Sequence, residues 1–183
     1  MVKQVVLYVE GKSDKTFFEG SKFRDFTKSL EFSVKIKNLR TKGNVLSNFE
    51  KFLKLQEENI YATILVYDKD CEEFDEKKIE QILRKYKNSF HYVAIQELEA
   101  WFCADHEEVK RINHNAKPLK DTQTIANPKN WLKDLFCKAG KGFKTEMGFA
   151  EHFAEKINLE EARKHNQSLD RFLVAFENKF ITK

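Results

Sequence analysis

The feature that most constrains the fold is the alternation of strand and helix patterns through the first half of the chain. Val5-Val6-Leu7-Tyr8-Val9 is a β-branched and aromatic run that reads as a buried strand within Gln4–Val9. A helix is predicted over Asp14–Lys28, with Phe17, Phe18 and Phe26 among its apolar residues. Phe32, Val34, Ile36 and Leu39 nearly alternate with polar residues, which predicts a second strand over Phe32–Leu39. Val45, Leu46, Phe49, Phe52 and Leu53 share one face of a helix over Asn44–Glu57. Strand three is Ala62–Tyr67, a third helix follows at Asp75–Tyr86, and strand four is Phe90–Ile95. This order predicts an α/β fold: a mostly parallel four-stranded sheet with helices on both faces.

After Ile95 the strand pattern stops. Helices are predicted at Glu97–Ala104, Pro128–Lys138, Thr145–Ile157, Leu159–His165 and Ser168–Phe180. Leu169, Phe172, Leu173 and Phe176 form the apolar stripe of the last one. The polar stretch 113–128 contains both prolines and reads as a loop. The chain therefore divides into a core at residues 1–96 and an all-helical C-terminal extension at 97–183, packed on that core. With 41% hydrophobic residues and 17 Phe among 183, there is ample material for a core, and disorder is excluded.

Two glycine-lysine segments invite a nucleotide-binding reading and fail it. Gly11-Lys12-Ser13 would need a first glycine at position 6, and that residue is Val6, inside a strand. The segment from Lys138 to Thr145 has no P-loop register either. What remains is a carboxylate, Glu10, at the C-terminal end of strand one, where open α/β sheets place their sites. Strand three ends in Tyr67-Asp68-Lys69-Asp70. In extended backbone, residues i and i+2 point the same way, so Asp68 and Asp70 can converge. If strands one and three are neighbours, Glu10 joins them, and Asp14, one turn into the next helix, can point back. Carboxylates held close repel and raise each other's pKa unless a cation sits between them. Mg²⁺ or Mn²⁺ answers that need, taking carboxylates, waters and substrate phosphate as ligands. Each acid also has an ordinary use: Asp14 as a helix cap, Asp68-Lys69-Asp70 as a solvated turn.

Glu10-Gly11-x-Ser13-Asp14 after one strand, with Asp68-x-Asp70 after a later one, resembles the Toprim fold of topoisomerases, primases and several nucleases. The spacing is most similar to the Toprim domains of OLD-type nucleases. Gln96-Glu97-Leu98-Glu99-Ala100-Trp101 and looser segments at Pro128-Lys129 and 142–173 resemble a bacterial family of Toprim-like proteins of unknown function, encoded beside ABC-type ATPases. The resemblance implies a divalent-metal-dependent nuclease, the effector of a defence or DNA-repair type system working with a separate ATPase. It implies Glu10, Asp68 and Asp70 as catalytic residues. Asp14 would complete a second metal position, and Glu97, near the same edge, is a ligand or a partner of one. Glu99 is equally well read as a first-turn helix acid favoured by the helix dipole.

The net charge of +4 permits a nucleic-acid partner, DNA or RNA. Lys12, Arg40, Lys42 and Lys144 are the candidate phosphate contacts, against the background of an abundant surface lysine. The five histidines show no HxxxH or HxH spacing and read as surface or structural residues. Cys71, Cys103 and Cys137 form no CxxC pair, which suits a reducing cytoplasm. No apolar run is long enough for a signal peptide or a membrane helix. The Phe-rich tail could serve a homodimer or pack on the sheet. A non-cleaving metal- or nucleic-acid-binding regulatory module of the same fold is the competing reading. Nucleotidyl transfer ranks below both, for want of a nucleotide-selecting motif.

Overall fold

A computed structural model of the chain describes residues 2–39, 45–55, 59–69, 76–142 and 145–180, apart from the side chains of 45–47. Four strands, β1 (Lys3–Val9), β2 (Phe32–Asn38), β3 (Ala62–Asp68) and β4 (Ser89–Ala94), pair in parallel in the order β2-β1-β3-β4. The predicted α/β architecture is present, and strands one and three are neighbours.

Helices cover both faces because the strands alternate between two apolar sets. Val5, Leu7 and Val9 face one way, with Ala62, Ile64 and Val66. Val6, Tyr8, Leu65 and Tyr67 face the other, where Phe49 and Leu53 of α3 (Val45–Lys54) and Ile79 and Leu83 of α4 (Glu76–Leu83) cover them. The first face carries α1 (Lys12–Glu19), α2 (Ser21–Ser29) and the C-terminal helices. Those are α5 (Glu99–Cys103), α6 (His106–Ile112), α7 (Pro128–Lys138), α8 (Glu146–Lys156), α9 (Leu159–Ala162) and α10 (Gln167–Glu177). Their side chains and the sheet's share one continuous apolar core, in which Trp101, Phe102, Phe153 and Phe172 are at most 1% exposed. Short 3-10 turns span Thr122–Thr124 in the prolyl loop and Arg163–His165 after α9.

The helix predicted over Asp14–Lys28 is two helices. Gly20 separates α1 from α2 in extended conformation, φ −66° and ψ 165°. A Cβ at this position would lie 2.4 Å from the Ala154 Cβ and 2.5 Å from its carbonyl oxygen, so only glycine lets α8 pass this close. The neighbouring Glu155 uses the break: its carboxylate accepts from the Ser21 N–H at 3.1 Å and the Ser21 hydroxyl at 2.6 Å, serving the open end of α2. Gly20→Ala is expected to cost roughly 2 kcal/mol through overpacking against backbone. Urea denaturation reads this directly, and a midpoint that stays at the wild-type value would contradict it.

Candidate active site

All four strands run in parallel, so their C-terminal ends form one edge, and β1 and β3 lie side by side there. Glu10 follows the last residue of β1, and Asp68 is the last residue of β3. The two are joined: Glu10 Oε1 accepts the Asp68 backbone N–H at 2.9 Å. Asp68 Oδ1 accepts the Leu98 N–H at 2.9 Å, from the segment that follows β4. Glu10 is 6% exposed. The first and third strand ends are thus neighbours, joined by the side chain of Glu10 and the backbone of Asp68.

Asp14 sits in the first turn of α1, and its Oδ2 accepts the Gly11 N–H at 2.9 Å. That bond is the helix-capping use anticipated for it, and it also folds the carboxylate back towards the strand end. Burial raises the Asp14 pKa, opposed by the Gly11 and Ser13 hydrogen bonds and by Lys129. Burial also pushes the Asp68 carboxyl well above the ordinary range, and Asp14, Glu10 and Glu99 push it further, with Lys129 opposing. Glu99, in the first turn of α5 and 4% exposed, is raised to about 7, by burial first, with Glu97 and Asp14 adding and Lys129 opposing.

Glu99 is therefore a member of the cluster, which its reading as a helix-dipole acid left open. Glu97 lies beside it in a different bond: its Oε1 is 3.0 Å from the Lys129 Nζ. Its Oε2 is buried with no hydrogen-bond partner among the described residues. Lys129, in the first turn of α7, also lies 3.7 Å from Glu146. Burial would lower its pKa, but Glu99, Glu97 and Glu146 outweigh that and hold the ammonium charged. Lys129 was not singled out for this role by sequence. The signal was present in Asn127-Pro128-Lys129: an Asn cap and a first-turn proline fix the start of α7 and place the lysine in its opening turn.

Lys12 is exposed at the first position of α1, next to the Glu10 turn. Asp70, Arg40, Lys42 and Lys144 lie outside the described residues. The end of β2 from which Arg40 and Lys42 follow is beside the end of β1, with Asn38 paired to Val9.

The donor chemistry suits a hard divalent cation, since Glu10, Asp14, Asp68 and Glu99 supply only carboxylate oxygens. No three of them place ligand oxygens within 4.8 Å of one another, so holding one ion takes side-chain movement. The Lys129 ammonium offsets part of their charge. Such a group either keeps protons or takes up a cation.

Comparison with curated proteins and with solved structures returns no significant match. Residues 9–177 match a family described as a domain of unknown function, DUF4276. That span takes in Glu10, Asp14, Asp68 and Glu99 on the strand ends and Lys129 on α7, and runs to the end of α10; the chain belongs to this family.

Proposed function

We propose that the chain is a divalent-metal-dependent phosphodiesterase acting on DNA or RNA. The observation that carries the reading is the bond between the two strand ends, Asp68 N–H to Glu10 Oε1, in a group of four acids of which Glu10 and Glu99 are buried and Asp14 and Asp68 half-buried. Asp68 and Glu10 would hold Mg²⁺ or Mn²⁺, with Asp14 beside them and Asp70 in the adjoining sequence. When bound, the ion would activate water and offset the charge that builds on phosphate oxygens.

The chain's own groups serve the remaining needs. Glu10 is fixed by a backbone donor, so its carboxylate is pre-oriented. Glu99, with its pKa raised to about 7, is matched to moving a proton near neutral pH. Lys12, exposed beside the site, suits contact with a phosphate backbone. The resemblance to OLD-type Toprim domains supports a role as effector beside a separate ATPase in a bacterial defence or DNA-repair system, in the cytoplasm.

One observation favours the non-cleaving module instead. Glu10, Asp14 and Asp68 each place one carboxylate oxygen on a backbone N–H, as purely structural acids do. The deciding experiment is cleavage of single- and double-stranded DNA, structured RNA and tRNA with Mg²⁺, Mn²⁺ or EDTA. Wild type is compared with Asp68→Asn and Glu10→Gln. Metal-dependent cutting that falls by at least about two orders of magnitude in both variants is expected. Mn²⁺ binding lost in Asp68→Asn, with no cutting even beside an ATPase partner, would give the regulatory module. A wild type that neither cuts nor binds metal would end both readings.

A further inference from the structure

The sequence separates His106 from His165 by 59 positions, and the fold brings their rings face to face. The ring centroids are 3.5 Å apart and the planes 16° from parallel. Glu161 completes the group: one donor atom from each of His106, Glu161 and His165 lies within 4.8 Å of the others. We propose that His106, Glu161 and His165 bind a borderline transition ion of the Zn²⁺ class, at a site separate from the acidic cluster.

The chemistry of the donors selects the ion. Two imidazole nitrogens and one carboxylate are a zinc set with an open fourth position, whereas Mg²⁺ takes oxygen donors and keeps its waters. Ligand bonds near 2 Å put tetrahedral donors roughly 3.3 Å apart. Small side-chain rotations therefore close the distance. Parallel rings present their lone pairs side by side, so binding turns at least one imidazole about its Cβ–Cγ bond and ends the stack.

The site is also held in advance. His106 Nε2 lies 2.8 Å from the Leu119 carbonyl oxygen, and only the protonated nitrogen can make that bond. A neutral His106 then has its lone pair on Nδ1, the usual arrangement of a metal-binding histidine that donates its other N–H to a carbonyl. Glu161 Oε1 already lies 3.3 Å from His165 Nε2. Its other oxygen bonds Lys164 at 2.8 Å, a side chain 63% exposed and free to swing away.

The segments that carry the ligands are tied together beneath them. Asp105, fully buried, accepts from the Glu108 N–H at 3.0 Å and the Asn158 N–H at 2.6 Å. Asn158 in turn caps α9 by accepting the Glu161 N–H at 3.2 Å. The His165 carbonyl accepts the Thr122 hydroxyl at 3.3 Å. A bound ion would thus join α6 to the α9 turn across a frame that is already built, leaving one coordination position for water.

The test is titration of the full, untagged chain, stripped with EDTA, with Co²⁺ as the spectroscopic probe and Zn²⁺ as competitor. Wild type, His165→Ala, Glu161→Gln and Asp68→Asn are compared, each checked for native circular dichroism. Wild type and Asp68→Asn are expected to bind one Co²⁺ with an intense visible d–d band that Zn²⁺ abolishes. His165→Ala and Glu161→Gln are expected to bind at least tenfold more weakly. Absence of the band in wild type would overturn the proposal, as would a band unchanged in a folded His165→Ala or lost only in Asp68→Asn.

Discussion

Glu99→Gln is expected to stabilise the metal-free protein by about 3 kcal/mol above pH 7 and by nothing below pH 4. Glu99 is buried, and its pKa rises from 4.5 to about 7 on folding. The unfolded chain releases this proton near 4.5, while the folded chain holds it until about 7. Between those values the folded state binds more protons, so stability falls as pH rises, and the loss is complete above the folded pKa. Gln mimics the protonated acid at every pH and removes the loss. Asp68→Asn acts in the same direction, because burial and three neighbouring acids also hold the Asp68 pKa well above its ordinary value. The amide introduced by that substitution keeps an oxygen for the Leu98 N–H that Asp68 now bonds.

The measurement is urea denaturation in EDTA from pH 4 to pH 9, with wild type and Glu99→Gln side by side. The gap between the two should open between pH 4.5 and 7 and then stay level. It should narrow in excess Mg²⁺ or Mn²⁺, since an ion bound only by the folded state stabilises wild type by mass action. A Glu99→Gln protein less stable than wild type at pH 8, or a gap that does not change with pH, would mean that Lys129 already neutralises the cluster and no cation is called for. Stability gained on removing an acid, with cleavage lost on removing its neighbour, is the behaviour of a group retained for chemistry.

The parts of this arrangement that depend on local pattern were legible in the sequence. Strand one could be read from Val5 to Val9 because a fully buried parallel strand needs an unbroken β-branched and aromatic run. Glu10 and Asp68 followed from it, as acids at the ends of such runs, and β1-β3 adjacency brings them together. Three features were hidden, two because their cause lies far along the chain and one because of a local turn. The helix break at Gly20 depends on Ala154 and Glu155 of α8, and nothing in Asp14–Lys28 records their approach. The facing of His106 and His165 depends on a tertiary contact, so no short spacing announces it. The third is the pair Glu97 and Glu99. Strand alternation gives them one direction, but Gln96 has φ +70°, which takes the chain out of the strand and into α5. Glu99 then joins the acids while Glu97 pairs with Lys129.

Phe172→Ala is expected to cost about 3–5 kcal/mol and to lower the melting temperature by on the order of 10 °C. Phe172 of α10 is fully buried. Its ring lies 5.7 Å from Phe18 of α1, 5.8 Å from Phe23 of α2, 5.6 Å from Tyr92 of β4 and 5.4 Å from Trp101 of α5. Truncation therefore opens a cavity at the point where the C-terminal helices meet the sheet, and the rings around it come from elements too constrained to close it. Because the sheet face and these helices share one apolar core, they are expected to unfold in a single transition, in wild type and variant alike. Calorimetry distinguishes the alternatives. One transition shifted downward supports a cooperative unit in which the extension completes the core. Two transitions, with only the first shifted, would mean that residues 97–183 come away while the sheet and its acids stay folded.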